Sequence, residues 1–216
     1  MDVTTDMIKS LREKTGAGMM DCKKALTECG GDLEKSVVWL REKGMASAAK
    51  KASRVAAEGL VEAYIHAGGR IGVLVEVNIE TDFAAASAEF KGFVKDVAMQ
   101  IAAMNPKWVT KEEVPAAVLD AERAIYRTEA LNEGKPEKIV DRIADGKLAK
   151  FYNDNCLLEQ AFIRDDSTTI GSLLKEKIAK IGENISIRRF VRFEMGEGLQ
   201  KKEENFADEV MKQIKN

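Results

Sequence analysis

Neither sign of charge dominates this chain. Its 34 basic and 36 acidic residues leave a formal net charge of −2, so no global basic field exists to hold a nucleic-acid backbone. Local basic clusters remain, and Lys50-Lys51 with Arg54 is the clearest. Cysteine is scarce: Cys22, Cys29 and Cys156 are all there is. An odd number points to free thiols in a reducing compartment rather than to a disulfide framework. The Cys-x6-Cys spacing is wrong for a zinc knuckle and His66 is the only histidine, so no metal site is expected. No apolar run is long enough to span a bilayer. Met1-Asp2-Val3-Thr4-Thr5 does not read as a basic region leading into an apolar stretch, so no secretory signal is expected and a cytoplasmic location is.

What is present suits a helix-rich globular protein. The chain has 216 residues, 45% apolar and 32% charged, enough for one or two domains with a real core. Residues 1 to 43 read as three short helices. Thr4 or Thr5 caps the first, whose apolar side is Met7, Ile8 and Leu11. Thr15-Gly16-Ala17-Gly18 breaks it, and Cys22, Ala25, Leu26 and Cys29 share one face of the second. Gly30-Gly31 ends that helix, and Asp32 caps a third with Leu33, Val37 and Leu40 inward. So small a unit suits docking better than catalysis. The Ala-rich, basic stretch 44–56 reads as a linker or an extended helix.

A second unit opens with a hairpin. Leu60–His66 and Ile71–Ile79 alternate as strands around the turn Ala67-Gly68-Gly69-Arg70. A helix is expected from Asp82 to Met104, with Phe90, Phe93, Val94, Val97, Ile101 and Met104 on one stripe, stopped by Asn105-Pro106. Thr110-Lys111-Glu112-Glu113 reads as a capping box for a helix through Leu131. Pro136 begins another, interrupted near Gly146 and continuing to Asn153. Ser167 or Thr168 starts a helix carrying Ile170, Leu173, Leu174, Ile178 and Ile181, closed by Gly182. In Ile185–Phe193 the odd positions are mostly apolar, which makes it a strand whose only expected partners are in the hairpin. The economical architecture is α+β: a three-helix module over 1–55, then a small antiparallel three-stranded sheet packed with helices over 56–198, then a polar tail over 199–216.

No constellation for covalent or acid–base chemistry survives inspection. His66 sits at a hairpin end, where a surface turn residue is the better reading than a Cys–His dyad. Asp165-Asp166 and Glu112-Glu113 fall at helix starts, where acids complement the dipole. Gly16-Ala17-Gly18 with Lys23-Lys24 lacks both the spacing and the preceding strand of a phosphate loop. Two features stand out. Met19-Met20 opens the second helix where only one side chain readily turns inward, and the other reads either as a docking contact rimmed by Arg12 and Lys23 or as a further core residue. At the corner Thr81-Asp82-Phe83, Phe83 is either a projecting wedge or an ordinary core ring behind a helix N-cap at Asp82, and the local sequence alone favours the core ring.

These features occur together, in order, in one family. Thr15-Gly16-Ala17-Gly18-Met19-Met20-Asp21-Cys22-Lys23-Lys24-Ala25-Leu26 resembles the N-terminal signature of the translation elongation factor Ts family, and Val77-Asn78-Ile79-Glu80-Thr81-Asp82-Phe83 resembles its second signature. Ala98–Pro106, Ala130–Pro136, and Ile181-Gly182-Glu183-Asn184-Ile185 followed by Arg188-Arg189-Phe190 are also similar, so the likeness runs from Val3 to Gly198. The resemblance implies a guanine-nucleotide exchange factor for elongation factor Tu, with a ubiquitin-associated-like N-terminal module. Arg12, Met19, Met20 and Lys23 would face the partner, while Asp82 and Phe83, with Thr81 beside them, would enter it near the magnesium and phosphate site. Such a factor performs no covalent step, so it is not an enzyme in that sense and needs no cofactor of its own. No direct nucleic-acid or membrane partner is implied.

Two departures stand against the family pattern: Ile79 where Cys is usual, and Ala84 where Val is usual. Affinity rather than mechanism is expected to change. The family's long members carry two related core subdomains, so contacts from a second one are either missing here or supplied by a second copy in a homodimer. The competing reading is a non-catalytic adaptor whose three-helix module binds ubiquitin-like or peptide partners.

Overall fold

The computed structural model describes residues 3–199, so the expected polar tail lies, apart from Leu199, outside the described residues. Helices α1 (Thr5–Thr15), α2 (Met19–Glu28) and α3 (Leu33–Lys51) come first. The Thr4 hydroxyl accepts from the Met7 amide at 3.4 Å, and the Asp32 carboxylate accepts from the Lys35 amide at 3.0 Å, each satisfying a free donor at a helix start. Gly16 closes α1 in the left-handed conformation. Ile8, Leu11, Cys22, Ala25 and Leu26 are buried together, with Val37, Trp39 and Leu40 packed on them, in a cluster of their own. The stretch expected as linker or helix is helix as far as Lys51, and its Ala48 is buried in the main core.

Strands β1 (Glu58–His66), β2 (Ile71–Ile79) and β5 (Ile185–Glu194) form an antiparallel sheet in the order β1-β2-β5. The alternation in β2 holds: Val73, Val75, Val77 and Ile79 are buried. Gly59 has φ +141°, and a Cβ there would meet the Val77 carbonyl oxygen at 2.2 Å, so the close pairing of β1 on β2 requires glycine.

In β5 the odd-position pattern fails midway. Ile187 pairs with Val77 but Arg189 pairs with Glu76, so Arg188 is an extra residue in a bulge. Beyond it Phe190 and Arg192 turn inward, while Val191 and Phe193 face out. One inserted residue reverses the face of everything after it.

The long helix expected from Asp82 is two: α4 (Asp82–Ala85) and α5 (Ala88–Met104). The Ser87 hydroxyl accepts from the Phe90 amide at 3.2 Å and restarts the helix there. Phe90, Phe93, Val94, Val97 and Ile101 fill the core under the sheet, but Met104 at the end of the stripe is exposed.

Thr110 caps no long helix. Lys111–Glu113 is a single 3-10 turn in which the Glu113 carboxylate accepts from the Val109 amide at 3.0 Å. Helix α6 (Ala116–Asn132) starts after Pro115, and α7 (Glu137–Asn155) starts after Pro136 and runs through Gly146 without interruption. Arg123–Asp145 at 2.9 Å, Arg127–Asp141 and Lys147–Glu129 at 2.7 Å bridge this helical hairpin.

A short hairpin, β3 (Ala161–Phe162) and β4 (Asp165–Thr169), was not expected, because Asp165-Asp166-Ser167-Thr168 shows no apolar alternation. It is held by a buried amide instead. Gln100 donates to the Ala161 carbonyl at 3.0 Å and accepts from the Ile163 amide at 2.9 Å. Helix α8 (Ile170–Ile181) follows, capped by Thr169 rather than by Ser167 or Thr168, and closed by Gly182 at φ +91°. The α+β class stands, with helices α4, α5 and α8 against one sheet face.

Candidate functional site

Strand β2 ends with Ile79 fully buried, and the chain must leave the core at once. Thr81, in extended conformation, caps α4: its hydroxyl accepts from the Ala84 amide at 3.2 Å. The cap is therefore Thr81 and not Asp82, which is the first helical residue and whose Oδ1 accepts from the Phe83 amide at 2.7 Å. Ala84 and Ala85 turn into the core, which leaves Phe83 on the outer side of a single helical turn. Its ring is 87% exposed. The core-ring reading is overturned: the inward positions belong to two alanines too small to cover the ring.

The corner is tied from across the chain. The Glu183 carboxylate accepts from the Thr81 amide at 3.0 Å and from the Thr81 hydroxyl at 2.8 Å. In return Glu80 accepts from the Asn184 amide at 2.6 Å, and the Asn184 side chain donates to the Arg54 carbonyl at 2.8 Å. Arg54 also pairs with Glu80 at 3.5 Å. No sequence periodicity links residues 102 positions apart, so Glu80, Glu183 and Asn184 could not be found as site residues by pattern.

The second patch lies at the start of α2. Met19 and Met20 are both exposed, Met20 at 77%, so the expectation that one would turn inward is corrected. The inward positions along α2 are taken by Cys22, Ala25 and Leu26. Arg12 on α1 and Lys23 on α2 are exposed near this turn in sequence.

Helix α8 joins the two regions. It packs along α3, with Arg41 pairing Glu176 at 3.6 Å. A Cβ on Gly44 would stand 3.0 Å from the Ala179 methyl, and one on Gly16 would stand 2.7 Å from the Lys180 stem. Lys177 and Lys180, the latter at 2.8 Å, hold Glu89 at the start of α5, and hydrogen bonds from Lys177 first and Lys180 second draw its carboxyl below the usual range. A cleft of about 510 Å³ lies between α8 and the helical unit, lined by Lys14, Asp21, Val37 and Leu173 among others.

Other titratable groups are engaged structurally. Glu76 on the outer sheet face accepts from Arg188 at 2.8 Å and Arg189 at 2.7 Å, which lowers its pKa. Burial pushes the Cys156 thiol up to about 11 and raises Cys22. His66 Nδ1 shares a hydrogen bond of 3.0 Å with the Tyr64 hydroxyl, and the two rings stack. Among the described residues no group of three or more His, Cys, Asp or Glu side chains converges, and no helix is long and apolar enough to cross a membrane.

Comparison with known proteins gives one consistent answer. The family model described as Elongation factor TS matches residues 32–197. A protein named Elongation factor Ts from Acetivibrio thermocellus is 65% identical over 212 residues, 98% of this chain and 99% of the relative. One of the same name from Alkaliphilus oremlandii is 63% identical over 214 residues, 99% of each. One from Thermoanaerobacter pseudethanolicus is 65% identical over 198 residues, 92% of this chain and 97% of the relative.

Proposed function

The chain belongs to the elongation factor Ts family, and on that premise we propose how it releases GDP from elongation factor Tu: by inserting Phe83, flanked by Asp82, into the GTPase beside its magnesium and phosphate site. Family membership makes the chain a guanine-nucleotide exchange factor in translation elongation and decides against the adaptor reading. The observation that carries the insertion is the 87% exposure of Phe83 on a corner whose backbone is tied at both ends.

GDP and magnesium are held in such GTPases by backbone donors, a lysine and the metal acting together on the phosphates. An exchange factor must bind the nucleotide-free state more tightly than the loaded one, and by linkage the two ligands weaken each other by the same factor. A rigid ring forced between packed helices makes a close-packed interior rearrange. A carboxylate beside it disturbs the metal's water shell or the groups that orient it. No covalent bond changes, no cofactor of this chain is required, and the setting is the cytoplasm, where translation elongation runs.

Residues 1–55, read as a ubiquitin-associated-like module, dock on the GTPase through Arg12, Met19, Met20 and Lys23, and residues 56–198 carry the exchange corner. Met20, apolar, flexible and 77% exposed, is the central contact. A homodimer fits the sheet. Its outer face presents Val61, Ile65, Leu74, Val191 and Phe193 to solvent, and a second copy of that face would complete a two-layer sandwich about a two-fold axis.

The test is release of fluorescent GDP from elongation factor Tu. Substoichiometric amounts of this protein are expected to accelerate release, and excess GDP is expected to dissociate the binary complex. Unaltered release at saturating protein refutes the proposal.

A further inference from the structure

We propose that Glu183 is the positioning residue of the exchange corner: its carboxylate sets the cap from which Phe83 projects. This inference rests on the exchange reading above.

Helix α4 spans only Asp82–Ala85. One turn is far below the length at which a helix holds itself, and its buried side chains are two methyl groups, those of Ala84 and Ala85. The direction of the Phe83 ring must therefore be set at the start of the turn. There the Thr81 hydroxyl has two duties. It accepts from the Ala84 amide at 3.2 Å and donates to Glu183 at 2.8 Å. Committing the proton to Glu183 leaves the oxygen lone pairs for Ala84, so the carboxylate fixes both the rotamer and the polarity of the cap. The other carboxylate oxygen takes the Thr81 amide at 3.0 Å. Two parallel acceptors on one residue hold orientation as well as distance.

Local helix energetics do not account for Glu183. It follows the C-cap Gly182 of α8, at the negative end of the helix dipole, where a carboxylate is disfavoured and a cation favoured. Nothing in α8 gains from an acid there. Its bonds run instead to Thr81, while Glu80 returns one to the Asn184 amide at 2.6 Å. The two corners exchange side chains for backbone amides, and α8, packed along α3, thereby sets the wedge relative to the docking helices.

The full chain carrying Glu183→Ala or Glu183→Gln is titrated into elongation factor Tu loaded with fluorescent GDP. Glu183→Ala is expected to lower the maximal stimulated rate on the order of tenfold, while the half-saturating concentration changes less than about twofold, because the Met20 patch is intact. Glu183→Gln, which keeps one acceptor oxygen, recovers part of the rate. A raised half-saturating concentration at wild-type maximal rate makes Glu183 an ordinary contact and overturns the proposal, as does a wild-type profile. Hydrogen exchange at the Thr81 and Ala84 amides, measured without the partner, is expected to speed up at least about tenfold in Glu183→Ala, with β2 amides unchanged. Unchanged exchange at both amides overturns the clamp. If the wild type fails to accelerate GDP release, the exchange reading falls and the amide measurement still decides the clamp. If Glu183→Ala does not fold, Glu183→Gln is judged by the same two criteria.

Discussion

Replacing Phe83 by alanine separates a projecting wedge from a structural ring by magnitude as well as by direction. The side chain is 87% exposed and lies outside both buried clusters, so truncation removes almost no intramolecular contact. Surface changes of this kind stay within about 0.5 kcal/mol of wild-type stability. By contrast Phe90, seven positions on and fully buried, would cost about 3–5 kcal/mol on truncation. The exposure that makes Phe83 dispensable for folding leaves nearly its whole surface to be buried in a partner. Full burial of such a side chain is worth about 1.5–3 kcal/mol, and a hot-spot loss of about 2 kcal/mol corresponds to roughly 30-fold.

The assay is stopped-flow release of fluorescent GDP from elongation factor Tu, with thermal unfolding as the control. Phe83→Ala should depress stimulated release by about that factor while the unfolding midpoint stays put. Two results refute the reasoning. A folded Phe83→Ala that exchanges at the wild-type rate leaves no work for the ring, and a loss of several kcal/mol in stability shows that the ring is structural after all.

Met20→Ala should weaken binding to elongation factor Tu, measured by titration calorimetry, without moving the unfolding midpoint, because the side chain is 77% exposed. Leu26→Ala, in the buried cluster of the same helix, should cost about 2–5 kcal/mol of stability. The Glu89 carboxyl is drawn below its ordinary 4.5 by Lys177 and then Lys180, so it stabilises the fold above that pH and the contribution is lost as pH falls through the depressed folded value. Glu89→Gln should therefore be less stable than wild type at neutral pH, with the gap closing in acid denaturation below 4.5. Phe193→Glu, on the outer sheet face and 71% exposed, should shift sedimentation equilibrium from dimer to monomer with the fold intact; a wild type that sediments as a monomer at micromolar concentration sinks the homodimer.

The sheet, α1–α3, the core stripe of α5 and the class of the fold were legible because they rest on local causes. Val73, Val75 and Val77 alternate, Thr4 and Asp32 precede apolar periods, and Gly16 and Gly30 follow α1 and α2. Readings failed where one residue broke the period. Ser87 restarts a helix that apolar spacing alone runs together, and Arg188 bulges β5 so that Phe193 faces out. The hairpin β3–β4 has no pattern to read because its register is held by the Gln100 side chain from another element. The family resemblance gave Asp82, Phe83 and Met20 roles, but it gave none to Glu183, whose stretch Ile181–Ile185 shares the likeness without showing that its carboxylate reaches Thr81.

Amino-acid order is enough for the periods of the elements and the turn that breaks β2 from α4, since each is set within a few residues by sterics, capping and apolar spacing. Folding in three dimensions decided which way Phe83 points and what holds it there. The direction follows from Ala84 and Ala85 being drawn into a core built by β2, α5 and α8, and the hold comes from a carboxylate 102 positions away. Such a bond depends on where α8 ends in space, and no local preference encodes that.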